Sequence, residues 1–373
     1  NRPIILVTEK KHVSIGKCAA AGLASALMFP AFSAFAAGTT AAAAQAWQGL
    51  IHFSLSPPPE SWQSNMPTDA QLAAFDQERA AESAALADRA ADFYKKFPAD
   101  TNAASARILE IQALQASVHL GDTNRLGELM SREELLIHNA NEPREVRYEV
   151  AVDLAGRRMK MQAAAGANVT AALEKAGRAL LKEFPDGPSG YELLSDAAEE
   201  SDLAKMRELG GLMASSGGPA GLTDIGRGLL RRVAVVGKRL PIHFMASNGS
   251  SVNLTTLSNQ VVLVDFWATW CPHCVQAAPE IKKLYDEYHG RGFQVIGINF
   301  DDDTNQALRF IRERDLPWPE YLGGQTNEYG ADYGVDLLPE GWLVDRRGIV
   351  QDIHATVNMK AKVEKLLKLP SGS

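Results

Sequence analysis

Two architectures in series are predicted for this chain: an all-α N-terminal half, then an α/β domain built on a central sheet. Two observations predict them. Between Thr68 and Leu212 apolar residues recur three and four positions apart, as in Ile108, Ile111, Leu114 and Val118, and β-branched runs are few. Beyond Gly226 the pattern changes to strand-like runs at 261–266, 293–300 and 341–345, separated by helical stretches at 274–289 and 304–314.

The chain has 373 residues, more than one ordinary domain needs, and its 46% hydrophobic and 22% charged content lets each part bury a core. A net charge of -7 argues against a nucleic-acid partner, which wants a basic face. Residues 1–36 read as an export signal. Lys10, Lys11 and Lys17 precede an apolar run from Cys18 to Phe35, and Ala34-Phe35-Ala36 fits the small-x-small cleavage rule. An uncleaved membrane anchor is the alternative reading of the same run. With cleavage no membrane span remains, and the chain is expected in the periplasm or cell envelope. Cys18 follows Lys17 and precedes the apolar run, the wrong order for a lipoprotein signal.

Residues 37–59, Ala-rich and then Pro-rich, read as a disordered linker. The helical domain is expected over 60–212. Within it, the segments ending Phe97-Pro98 and Phe184-Pro185 echo each other, which suggests stacked helical hairpins similar to tetratricopeptide repeats, or two unrelated helices sharing a stop signal. Residues 213–236, with Gly and Ser at their start, read as a second linker, and the α/β domain as 237–369.

Outside the signal, the cysteines are Cys271 and Cys274. A pair at C-x-x-C spacing suits a redox task better than stapling a fold. A strand, Val264-Asp265-Phe266-Trp267, runs into a turn, and Cys271 opens the following helix. The three-residue offset puts both sulfurs on one face of its first turn, within disulfide range. Pro272 sits where a missing N–H costs nothing, and the orphan backbone donors there favour a Cys271 thiolate. Structural zinc would need two further ligands at matched spacing. Two thiols with His273 form a donor set for Cu(I), so copper delivery stays open. Asp265 lies in an apolar strand, where lost hydration raises a carboxyl pKa unless the side chain reaches solvent or a lysine.

From Gly237 to Leu367 these motifs resemble the thioredoxin superfamily, and within it the exported TlpA-like disulfide reductases. The resemblance rests on the segment 237–254, Trp270-Cys271-Pro272-His273-Cys274, Pro279, Leu316-Pro317-Trp318-Pro319, Leu338-Pro339 and the run 343–348. It implies a mixed sheet flanked by helices, a cis bond at Leu338–Pro339, and thiol–disulfide exchange with protein thiols and disulfides, with no cofactor beyond the Cys271–Cys274 disulfide. It further implies that Asp265 handles the Cys274 proton, that Pro339 and Leu338 present backbone to an extended substrate, and that Trp270 shields the pair or is a plain core aromatic. Two departures matter. The lysine that thioredoxin pairs with this Asp is replaced by Gly297, and a glutamate common three residues after the second cysteine is replaced by Ala277. Proton handling then falls to Asp265, His273 and water. Pro272-His273 is also the dipeptide between the cysteines of DsbA, a strong oxidant, so a pair more oxidising than thioredoxin's is expected. The physiological electron partner stays open. The rival reading makes the helical half a peptide- or protein-binding scaffold with an accessory redox domain.

Overall fold

A computed structural model describes residues 40–257 and 259–370. The export signal expected over 1–36 lies outside the described residues, among which no helix is long and apolar enough to cross a membrane.

Helices come first: α1 (Ala41–Ile51), α2 (Asp69–Lys96), α3 (Ala103–His119), α4 (Leu126–Ile137), α5 (Arg144–Ala164), α6 (Val169–Glu183), α7 (Pro188–Glu199), α8 (Leu203–Ala214) and α9 (Ala220–Val235). Two of the expected linkers contain helices. In 37–59, Thr40 caps α1 by accepting the Ala43 N–H at 3.1 Å, and the alanine run propagates from there. Trp47 then packs against Phe93 of α2, ring centroids 5.5 Å apart. In 213–236, only the stretch around Gly217, with φ +79, breaks the chain. Gly226 belongs to α9, where a Cβ would stand 2.5 Å from the Gly210 carbonyl and 2.6 Å from the Ala214 amide. That glycine serves close packing of α9 on α8, and its flexibility is not used.

The Phe97 and Phe184 breaks share one geometry, with φ of -127 and -130 and ψ of 60 and 67, and each caps the helix before it. The chain divides into two compact units, one ending at Leu154 and the other beginning at Ala155. The boundary falls inside α5, so the helical half is not one domain, and α6 to α9 belong with the sheet.

The sheet region begins with a hairpin of β1 (His243–Met245) and β2 (Ser251–Asn253). Then follow β3 (Val261–Trp267), α10 (Pro272–Tyr288), β4 (Phe293–Asn299), α11 (Thr304–Glu313), β5 (Glu320–Leu322), α12 (Glu328–Tyr333), β6 (Glu340–Val344), β7 (Val350–Asp352) and α13 (Met359–Leu367). The five-stranded sheet has the order β5-β4-β3-β6-β7. β3, β4 and β5 run parallel, while β6 and β7 are antiparallel, so the sheet is mixed as expected. All seven residues of β3 are buried, the pattern of a central strand covered on both faces.

Strand alternation decides what lies under α10. Val261 and Leu263 share a buried cluster with Ile281, Leu284 and Tyr288 of α10 and Val363 of α13. Asp265 and Trp267 continue that face of β3. On α10 the buried residues are Cys274, Ala278, Ile281, Leu284 and Tyr288, one stripe at helical spacing. Cys274 and Asp265 therefore both belong to the interface between α10 and the sheet.

Candidate active site

The site begins where β3 ends. Cys271 is the N-cap of α10, in extended conformation, and its Sγ accepts the Cys274 N–H at 3.1 Å. Pro272 occupies the first helical position, where its lack of an N–H removes one orphan donor. Cys271 and Cys274 form a disulfide, Cα atoms 5.3 Å apart, and each is only 4% exposed. Pro272 and His273 lie exposed at the surface. Trp270 is 54% exposed, so it is no core aromatic. Leu338–Pro339 is cis, both residues are half-buried, and β6 follows directly.

Asp301 anchors the turn between β3 and the cysteines, and the sequence reading did not single it out. Its buried carboxylate accepts from the Thr269 N–H at 2.9 Å, the Thr269 hydroxyl at 2.6 Å and the Asn299 amide at 2.7 Å. The run Asp301-Asp302-Asp303 after an apolar strand was the signal available. Arg232 of α9 was also missed. It is 4% exposed and pairs with Glu199 of α7 and, at 3.7 Å, with Glu340, the residue after Pro339. Nothing in its sequence neighbourhood marks it.

Asp265 is buried, and desolvation pushes its carboxyl up to about 7. It stands in register with Gly297 of β4, which stands in register with Glu320 of β5. A Cβ at Gly297 would collide with the Glu320 carboxyl. The space left by the absent lysine is thus filled from the next strand. Glu320 is 1% exposed, its Oε2 accepts the Trp267 indole N–H at 2.9 Å, and its Oε1 has no hydrogen-bond partner. Desolvation drives its carboxyl up to about 8, with the nearby charge of Asp265 adding to the rise and the Trp267 indole hydrogen bond opposing it.

Among the described residues no group of three or more His, Cys, Asp or Glu side chains is placed to hold a metal ion.

A family profile described as Redoxin matches residues 235–367. The thiol-disulfide oxidoreductase ResA of Halalkalibacterium halodurans is 30% identical over 121 residues, covering 32% of this chain and 68% of that protein. The thiol:disulfide interchange protein DsbE of Pseudomonas aeruginosa is 31% identical over 140 residues, 36% of this chain and 76% of its own length. The solution structure of a thiol:disulfide interchange protein from a Bacteroides species aligns with a TM-score of 0.33 and 25% identity, over 36% of this chain and 91% of that one.

Proposed function

This chain belongs to the redoxin family of thiol–disulfide oxidoreductases, and from that premise we propose that it exchanges disulfides with protein substrates through the Cys271-Pro272-His273-Cys274 motif. One observation carries the reading: the Cys271–Cys274 disulfide caps the N-terminus of α10, where the Cys271 sulfur accepts a backbone N–H. The same donors would favour the thiolate over the thiol once the disulfide is reduced.

In the reduced protein the Cys271 thiolate attacks one sulfur of a substrate disulfide. A Cys271–substrate bond forms, the substrate bond breaks, and the other substrate sulfur leaves as a thiolate. Cys274 then loses its proton to Asp265 and attacks Cys271, restoring the disulfide and releasing the second substrate sulfur. Two electrons pass from the enzyme dithiol to the substrate; the reverse sequence oxidises a substrate dithiol. Exposed Trp270 and the Leu338-Pro339 segment supply the substrate contacts, and exposed His273 lies between the two cysteines in the chain. The basic and then apolar N-terminal run supports action outside the cytoplasm.

The test is insulin reduction by the full chain. Cys271→Ser should abolish exchange, and Cys274→Ser should accumulate mixed disulfides. A fully active Cys274→Ser would overturn the order of attack.

A further inference from the structure

Asp265 is not the only buried carboxyl on this face of the sheet: a second reaches toward it from β5, over Gly297. Asp265, Gly297 and Glu320 form a row across β3, β4 and β5. Gly297 has no side chain, and the Glu320 carboxyl takes up the position that any side chain there would fill. It is pinned by the Trp267 indole N–H on Oε2, while buried Oε1 has no partner and is the atom free to carry a proton. The charged group that faces Glu320 is Asp265, on β3. Trp318, in the loop ahead of β5, holds a second buried indole N–H nearby, which has no hydrogen-bond partner. The helices over this face contribute Ile281 and Leu284 from α10, Val363 from α13, and Phe310 of α11, which packs on Trp267 at 5.2 Å. They also contribute two α10 phenols, Tyr288 and Tyr285, the latter 5.5 Å from the Trp318 ring, both raised above their ordinary value and so neutral where the carboxyls titrate.

We propose that Glu320 is the second half of the proton site: its carboxyl and that of Asp265 form a buried pair carrying one proton between them in the resting protein, and this sets the basicity of Asp265 toward Cys274. The inference rests on the exchange reading above and assigns Glu320 as a positioning residue, acting through Asp265. Two like charges this deep cannot both form readily, so ionisation of one raises the proton affinity of the other. At the resolving step the Cys274 proton passes to the Asp265 carboxylate. The Cys274 sulfur bonds to Cys271, the Cys271–substrate bond breaks, and its electron pair leaves on the substrate sulfur. The pair then holds two protons and returns one to solvent.

Carbon-13 NMR of the side-chain carboxyls across pH, on the full chain in its disulfide form, tests this. Two carboxyls should titrate in coupled steps above pH 6, assigned through Asp265→Asn and Glu320→Gln. Asp265→Asn should lower the Glu320 midpoint by about one pH unit or more, a tenfold change in proton affinity. In the reduced protein the pH profile of insulin reduction should lose its upper ionisation in Glu320→Gln. A Glu320 that titrates in the ordinary carboxylate range, or that Asp265→Asn leaves unmoved, overturns the pair; this needs only the wild type and Asp265→Asn, should Glu320→Gln fail to fold. The NMR titration involves no substrate, so its failure removes the pair and leaves exchange standing. Failure of the insulin assay with Cys271 intact removes exchange and leaves the pair.

Discussion

Glu110 and Glu142 of the helical unit lie in the interior against arginines, whereas Asp265 and Glu320 of the α/β unit lie in one register row of the sheet with only Gly297 between them. Arg107 pairs with Glu142 at 2.7 Å, and Arg132 with Glu110 at 2.9 Å, where the Tyr94 hydroxyl also donates at 2.8 Å. Each of these carboxylates has a cation beside it, the condition for burying charge in a structural role, although desolvation still raises the Glu110 carboxyl against the Tyr94 hydroxyl and Arg132. Beneath α10 the match is missing, and both carboxyls are driven up toward neutral pH. Mismatch of this kind costs stability and persists where a proton must move. The two regions thus bury the same chemical group to different ends.

The largest expected effect separates those ends by pH. Asp265 titrates near its ordinary 3.8 when unfolded and at about 7 when folded. Between these values the folded chain keeps a proton that the unfolded chain has lost, so stability falls as pH rises through this window and stays low above it. The shift corresponds to about 4 kcal/mol. Asp265→Asn should therefore stabilise the α/β unit by about that amount at pH 8, and by almost nothing below pH 4, in urea unfolding. An equal gain at both pH values would mean that the carboxyl's ionisation is not the cause. The helical unit should answer with the opposite sign. Arg107→Ala strands the buried Glu142 and should destabilise its own unit by about 3 kcal/mol, with insulin reduction intact. A neutral outcome there would break the contrast, since it would show the matched pair contributing nothing.

Much of the fold was legible in the sequence because its signals are local. The buried run of β3, the proline after Cys271 and the spacing of the cysteines each act within a few residues. The helices over 41–51 and 220–235 were read as linkers because glycine and alanine richness reports flexibility and close packing alike. Gly226 is read correctly only once Gly210 and Ala214 are known to face it. Glu320 was invisible for a related reason. In sequence it follows Pro317-Trp318-Pro319, a loop-like stretch. Its burial comes from pairing with β4, and its position from the missing side chain of Gly297. The vacancy was legible at Gly297; the group that fills it was not.

Asp301 sharpens the comparison within the α/β unit itself, because there a buried carboxylate is fully supplied with donors. Thr269→Val removes the hydroxyl that donates at 2.6 Å and keeps the backbone N–H. A hydrogen bond to a charged group contributes about 1.5–3 kcal/mol, so a loss of about 2 kcal/mol is expected in urea unfolding. Because Thr269 lies two residues before Cys271, the insulin-reduction rate should fall as the turn loosens. Unchanged stability and rate together would show that Asp301 does not anchor the site.

The smallest effect sets the exposed side of the site against the buried one. His273 is exposed two residues after Cys271, and a ring N–H brought to the Cys271 sulfur would favour its thiolate. The buried carboxyls, when ionised, oppose that thiolate. Solvent screens the first influence and the protein interior preserves the second, so the imidazole's share must be modest. The helix terminus adds about 0.3–1 kcal/mol, under one pH unit on the thiol. A stabilised thiolate is a stabilised reduced form, which raises the reduction potential. Replacing His273 by Pro should therefore lower the potential by about 30 mV, equivalent to about 1.4 kcal/mol for two electrons, measured in glutathione buffers. The wild type should lie above thioredoxin's potential of about -270 mV. A wild-type potential at or below that value means the buried carboxyls dominate and the site is tuned to reduce. A His273→Pro variant with an unmoved potential means that the imidazole has no electrostatic part in the tuning, and that the contrast between the two sides of the site ends at Asp265.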